Sequence, residues 1–130
     1  MGENESAQAP SILVVEDEPM LLMVAVETLR DAGYDVREAG NGQRAMEILE
    51  TEPDIDLLIT DIKMPGMNGF QLAEAGLALR PGLHVLLMTG YAQDPVPKKI
   101  SDAGIRILYK PFDIDRLPVM AGEILSGASN

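Results

Sequence analysis

Four positions in this chain could do chemistry together: Glu16-Asp17-Glu18, Asp61, Thr89 and Lys110. Each follows a short aliphatic or β-branched run, namely Ser11–Val15, Leu57–Thr60, His84–Met88 and Arg106–Tyr109. Runs of that kind read as strands buried on both faces, and the Gly, Pro or charge that follows marks where each must stop. If the four exits lie together, three carboxylates (Glu16, Asp17, Asp61), a hydroxyl and an ammonium converge. Carboxylates so placed repel one another, and a divalent cation that prefers oxygen ligands is the natural remedy. Mg²⁺ suits the set, because it takes one or two carboxylates and keeps water and phosphate oxygens in its other positions. A carboxylate can also attack phosphorus to give an acyl phosphate. The cation and the lysine would offset charge on the transferring group, and the hydroxyl of Thr89 would donate to it. A single aspartate at a strand end is as well read as an ordinary solvated side chain. It is the recurrence at four exits that argues for a site.

The elements that must position these residues alternate along the chain. After Ser11–Val15, Pro19 suits a first helical turn, and Met20 to Ala32 has helical content closed by Gly33. Tyr34 to Ala39 reads as a second strand, and Asn41 can cap a helix to about Glu50, broken by Pro53. The Leu57–Thr60 strand precedes a helix from about Asn68 to Arg80, which Pro81-Gly82 ends. Between His84–Met88 and Arg106–Tyr109, Pro95 and Pro97 confine any helix to a short piece near Val96–Ala103. A last helix, starting at Asp113 or Asp115 so that Pro118 falls in its first turn, runs to about Leu125. Alternation of this kind argues for an α/β domain with a parallel sheet covered on both faces, all strand exits at one edge.

Composition narrows the function. At 130 residues, 46% of them hydrophobic, the chain is expected to form one domain over residues 11–125, with a polar lead-in at 1–10 and a polar tail at 126–130. The formal net charge of −11 argues against nucleic acid or an anionic membrane as a direct partner. With no cysteine there is no disulfide framework, thiolate metal site or Cys nucleophile. Neither a membrane span nor a basic-then-apolar signal stands out, so the chain reads as cytoplasmic. His84 opens a buried strand and reads as structural. The methionines at core-like spacings read as filler. Met20 to Val26 is apolar all round, more than one buried stripe requires. That surplus reads equally as a helix packed under the chain's own termini or as a docking face, and a charge at Ala25 is the probe it suggests.

Several segments together resemble the receiver (response regulator) domains of two-component phosphorelays. They are Ile12-Leu13-Val14-Val15-Glu16-Asp17-Glu18, Thr60-Asp61-Ile62-Lys63-Met64-Pro65 continuing to Gly69, Met88-Thr89-Gly90-Tyr91, and Tyr109-Lys110-Pro111-Phe112. The resemblance covers nearly all of Ser11 to Leu125. It implies a flavodoxin-like five-stranded parallel sheet of order 2-1-3-4-5. It also implies Asp61 as phosphoacceptor and Mg²⁺ held by Asp17, Asp61, Glu16 through water and the backbone carbonyl of Lys63. Thr89 and Lys110 would contact the phosphoryl group, and the bond before Pro111 would be cis. The implied donor is a histidine kinase or histidine phosphotransfer protein, docking near the first helix. The output would be protein–protein contact by a stand-alone regulator, the alternative being a receiver excised from a hybrid histidine kinase.

The sequence departs from that family at two places. Receivers usually carry an aromatic three residues before the strand-five lysine, and Ile107 stands there; Tyr91 is the candidate substitute. The Pro95–Pro97 pair implies a short or mobile fourth helix and an order–disorder output. Lys63 and Tyr91 could also gate water at the site. Two other classes are weaker. A flavodoxin-like cofactor binder needs a phosphate loop where Glu16-Asp17-Glu18 stands, the wrong charge for a phosphate. A haloacid-dehalogenase-type phosphohydrolase wants a second Asp two residues after the first, and that residue is Lys63.

Overall fold

Five strands pair side by side and all in parallel: β1 (Ser11–Val15), β2 (Asp35–Ala39), β3 (Ile55–Asp61), β4 (His84–Thr89) and β5 (Arg106–Tyr109). Their order in the sheet is β2-β1-β3-β4-β5. Between and after them run α1 (Pro19–Asp31), α2 (Gly42–Thr51), α3 (Gly69–Leu79), α4 (Lys98–Asp102) and α5 (Arg116–Ser126). The structure is a computed structural model and describes residues 9–90 and 95–127. Most of the expected lead-in and tail therefore falls outside the described residues, while Ser126 of the expected tail closes the last helix. Among the described residues, no helix is long and apolar enough to cross a membrane.

The near-continuous apolar strands are explained by a core on each face. Leu13, Val15, Leu58 and Leu87 meet Ala45, Ile48 and Leu49 of α2, Leu72 and Ala73 of α3, and Ile100 of α4. Ile12, Val14, Leu57, Ile59 and Leu86 meet Ala25, Val26 and Leu29 of α1 and Leu117, Met120 and Ala121 of α5. Successive strand residues alternate between the two clusters, as the pleat requires. The chain winds away from β1 in one direction to β2, then crosses to β3 on the other side. The crevice outside the carboxyl ends of β1 and β3 is thus the topological switch point of the sheet.

Local signals act as the sequence implies. Asn41 accepts from the Arg44 N–H at 2.8 Å, and Asn68 with Gln71 closes a reciprocal capping box at the start of α3. Gly33 takes a φ of +101°, the left-handed conformation that ends α1. Several boundaries differ from expectation, three of them instructively. β3 begins at Ile55 rather than Leu57, because buried Ile55 pairs with Ser11 while the exposed Asp56 carboxylate accepts the Ser11 N–H at 2.9 Å. The last helix starts at Arg116 after an Asp115 cap, which leaves Pro118 as its third residue. The piece between the two prolines and β5 is helical only over Lys98–Asp102.

On α1, Ala25, Val26 and Leu29 are buried, whereas Met20, Leu21, Met23 and Val24 are exposed by 67%, 45%, 45% and 39%. The surplus apolar surface foreseen on this helix is therefore confined to its first two turns, and Ala25 is the wrong place to probe it. Ala25→Glu would bury an unpaired carboxylate and should cost at least about 3 kcal/mol. Met23→Glu should leave stability within about 0.5 kcal/mol, as surface changes do. Urea unfolding of the two variants checks the contrast.

Candidate functional site

At the carboxyl edge of the sheet, β1 runs into Glu16-Asp17 and β3 ends on Asp61. Because β1 and β3 are neighbours with Val15 beside Thr60, the two exits are side by side. One carboxylate oxygen from each of Glu16, Asp17 and Asp61 lies within 4.8 Å of the others. Glu16 and Asp61 are buried and Asp17 is exposed. From the far side, Lys110, which follows β5, brings its Nζ to 3.5 Å from Asp61 Oδ2 and 3.6 Å from Glu16 Oε1. A cavity of about 440 Å³ opens over this group, lined by Glu16, Asp17, Glu18, Asp61, Lys63 and Lys110 together with Leu21 and Gly90.

Backbone amides orient the two buried carboxylates. The Glu18 N–H donates to Glu16 Oε2 at 3.1 Å, and the Ile62 N–H donates to Asp61 Oδ1 at 2.9 Å. Burial pushes the Asp61 carboxyl above its usual range, against the pull of Lys110 and the Ile62 N–H. Burial likewise raises Glu16, opposed by the Glu18 N–H and helped by the negative charge of Asp61. One ammonium among three carboxylates leaves the group net negative. Both buried acids thus resist being charged.

This is the donor set of a hard divalent cation. All candidate ligands are oxygens, they are close enough to share an ion, and the excess charge is negative. Thiolates are excluded by composition, and the lone imidazole, on His84, opens β4 at the opposite edge of the sheet. The residues therefore fit Mg²⁺.

The remaining expected positions are placed as follows. Thr89 ends β4 and is buried, one residue beyond Met88, the partner of Asp61. The Lys110–Pro111 bond is cis, as expected, and the Lys110 N–H donates to the Thr89 carbonyl at 2.6 Å, holding the β4 and β5 exits together. Lys63 is exposed at the mouth of the cavity. Ile107 is half-buried and packs with Val96 and Ile105 against the core under α2, α3 and α4. Tyr91 lies outside the described residues. Sequence reading passed over Thr60, although a hydroxyl residue in an otherwise aliphatic buried strand was the available signal: it is fully buried and its Oγ1 donates to the Asp61 carbonyl at 2.9 Å.

A doubly wound parallel sheet with an acidic cluster, a strand-end aspartate and a facing lysine at its switch point has the layout of a cation-binding α/β domain, and its acidic lining is the wrong charge for the phosphate loop of a nucleotide binder. Residues 12–121 match the response regulator receiver domain family, and the chain belongs to that family. It is a receiver domain of the kind found in two-component systems. The chain is 36% identical over 104 residues to the response regulator receiver protein CpdR of Brucella abortus, covering 79% of this chain and 86% of that one. It is 33% identical over 117 residues to the sensor kinase CckA of the same organism, covering 88% of this chain but 12% of the kinase. In three dimensions it is similar to a CheY-like receiver domain protein from Methanospirillum hungatei. The TM-score is 0.85 with 29% identity, over 94% of this chain and 98% of the other.

The electrostatics set a pH dependence. Raised carboxyl values mean that the folded protein holds protons at Glu16 and Asp61 more tightly than the unfolded chain. Their contribution is most favourable below the ordinary carboxyl values of 3.8 and 4.5, and it is lost as pH rises from there through the raised values. At neutral pH, Mg²⁺ a hundredfold above its Kd should restore about 2.7 kcal/mol. Calorimetry should show a Mg²⁺-dependent rise in Tm that is largely missing in Asp61→Asn, and the variant's metal-free Tm at pH 7 should exceed wild type. A lower metal-free Tm in the variant would mean that attraction to Lys110 outweighs the repulsion.

Proposed function

We propose that this receiver accepts a phosphoryl group on Asp61 from a phosphohistidine of a histidine kinase or phosphotransfer protein. The observation that carries the reading is the meeting of Asp61 with Glu16, Asp17 and Lys110 at the switch point of the sheet. With Asp61 Oδ1 held by the Ile62 N–H, Oδ2 is the oxygen turned toward Lys110 and the nucleophile. It attacks phosphorus, the P–N bond breaks, and the electron pair returns to the donor imidazole. Burial favours this, because a carboxylate with little water around it has little hydration to shed.

Asp17, Asp61, the Lys63 carbonyl and Glu16 through a water would hold Mg²⁺, which supplies positive charge beside the transferring phosphoryl oxygens. Lys110 supplies the second positive charge, and Thr89 donates its hydroxyl to the phosphoryl group once it is in place. Lys63, at the mouth of the cavity, gates the water that would hydrolyse the acyl phosphate. Tyr91 is our candidate for the switch aromatic and for a second gate. Ile107 occupies the usual aromatic position with a branched aliphatic side chain and has no ring to swing. Output therefore runs through the short α4 segment as a change in order, and reaches its target by protein–protein contact in the cytoplasm. The net charge of −11 disfavours direct contact with nucleic acid.

The exposed Met20, Leu21, Met23 and Val24 adjoin the cavity through Leu21, and they form the face on which a helical phosphodonor docks. Two experiments test the reading. Intact mass after acetyl phosphate treatment should show one added phosphoryl group, dependent on Mg²⁺ and absent in Asp61→Asn. Met23→Glu should keep that small-molecule reaction while losing about tenfold or more in transfer from the cognate donor. Equal loss with both donors would place the defect in the site and not in docking.

A further inference from the structure

The peptide unit that joins Asp61 to Ile62 has both ends engaged. Its N–H end is shared between Asp61 Oδ1 and the Met88 carbonyl, both at 2.9 Å. Its carbonyl end accepts from Thr60 Oγ1, also at 2.9 Å. On that same carbonyl the start of α3 closes in. A Cβ on Gly69 would lie 2.4 Å from the Asp61 oxygen and 2.7 Å from the Ile62 Cα, and the Gly69 N–H donates to the Ile62 carbonyl at 2.8 Å. The plane of this peptide is therefore fixed by a hydroxyl and by a backbone wall at one end. At the other end it presents the N–H that sets the rotamer of the Asp61 carboxylate.

Thr60 faces the core beneath α2, α3 and α4, between Leu58 and Ile62 on the same side of β3. Its relative exposure is 0%, so the hydroxyl is far from water. A buried hydroxyl carries a desolvation cost that an aliphatic residue of the same shape, such as Val, avoids. The site does not need a hydroxyl for packing. What the hydroxyl adds is a directional hold on the Asp61 carbonyl.

We propose that Thr60 is a positioning residue for phosphoryl transfer. By donating to the Asp61 carbonyl against the Gly69 wall, it holds the Asp61–Ile62 peptide so that Ile62 N–H keeps Oδ1 and Oδ2 faces the incoming phosphorus. The inference rests on Asp61 being the phosphoacceptor. Thr60 touches neither metal nor phosphoryl group and acts only through the peptide. Its loss should slow the reaction at saturating donor while leaving Mg²⁺ affinity nearly unchanged.

The test compares Thr60→Val, which keeps the shape and removes the hydroxyl, with Thr60→Ser, which keeps the hydroxyl and removes a methyl. Wild type and both variants would be followed by urea unfolding, Mg²⁺ titration calorimetry, the phosphorylation rate with saturating acetyl phosphate, and the Ile62 amide proton shift. We expect Thr60→Val to bind Mg²⁺ within about twofold of wild type, react about tenfold more slowly and show a displaced Ile62 amide resonance. Thr60→Ser should react within about twofold of wild type. A wild-type rate in Thr60→Val overturns the inference, and so does equal slowing in both variants, which would assign the effect to packing. If Thr60→Val does not fold, Thr60→Ala against Thr60→Ser gives the same comparison. Failure of the wild type itself to take up phosphate would instead count against Asp61 as phosphoacceptor.

Discussion

Like charge buried at a strand crossover is the constraint from which the rest of this structure follows. Parallel pairing puts every strand exit on one edge, and the order β2-β1-β3-β4-β5 makes the exits of β1 and β3 immediate neighbours. Those exits carry Glu16, Asp17 and Asp61, two of them buried. A fold optimised for stability alone would not place carboxylates there, because each loses hydration and gains a repelling neighbour. Lys110 offsets part of that repulsion from 3.5 and 3.6 Å, distances too long for strong paired contacts. The Glu18 and Ile62 N–H groups offset a further part, and burial still leaves both carboxyls above their usual range. The arrangement suits a compact cation, whose charge would relieve the repulsion that burial leaves.

The opposite edge of the sheet shows what the same residue types do when stability is their task. Ser11 donates from its N–H to Asp56 and from its hydroxyl to Asp35. Asp35 pairs with Arg37 at 2.7 Å, and Arg37 reaches Glu52 at 2.8 Å. There the Arg37 guanidinium holds Asp35 below the usual carboxyl range, the reverse of the shift at Asp61. Acidic groups at the amino edge are paired with arginine and left open to solvent. At the carboxyl edge they are crowded and sheltered. The contrast separates a crowded, sheltered acidic cluster from a paired, exposed one without reference to any relative.

Much of this was legible in the chain. β1, β3 and β4 announced themselves because burial on both faces leaves little polar alternation to confuse the reading, and Gly and Pro marked where the strands had to end. Asn41 and Asn68 marked helix starts through their own caps. The convergence of the exit residues was legible for the same reason: parallel topology converts four separate strand ends into one edge. What escaped were features set by register and approach. β3 gained Ile55 and Asp56 because Ser11 offered a pairing partner, which no local pattern encodes. Ala25 looked as free as Met23 in a helix apolar all round, and only packing against the sheet tells the buried stripe from the exposed one. Thr60 passed as one more β-branched strand residue, since the partner of its hydroxyl lies one peptide away and depends on the closure of the loop by Gly69.

The two halves of the site are supported unequally, and that asymmetry bears on how a charge change at Asp61 can be felt elsewhere. The acidic half stands on β1 and β3, whose residues are nearly all buried between two helical layers. The half that carries Lys110 stands on β5, four residues long and only partly buried, with the five-residue α4 beside it. Phosphorylation of Asp61, as proposed, would add negative charge and acceptor oxygens at this point. The groups placed to answer, Thr89 and Lys110, are joined to each other through the Lys110 N–H and the Thr89 carbonyl, so a shift in one displaces the other. On the proposed phosphorylation, deformation would follow the lower resistance, toward β5 and α4 rather than into β1 and β3. Ile107 then matters less as a missing rotor than as part of the thin apolar seal, with Val96 and Ile105, that such a displacement would open.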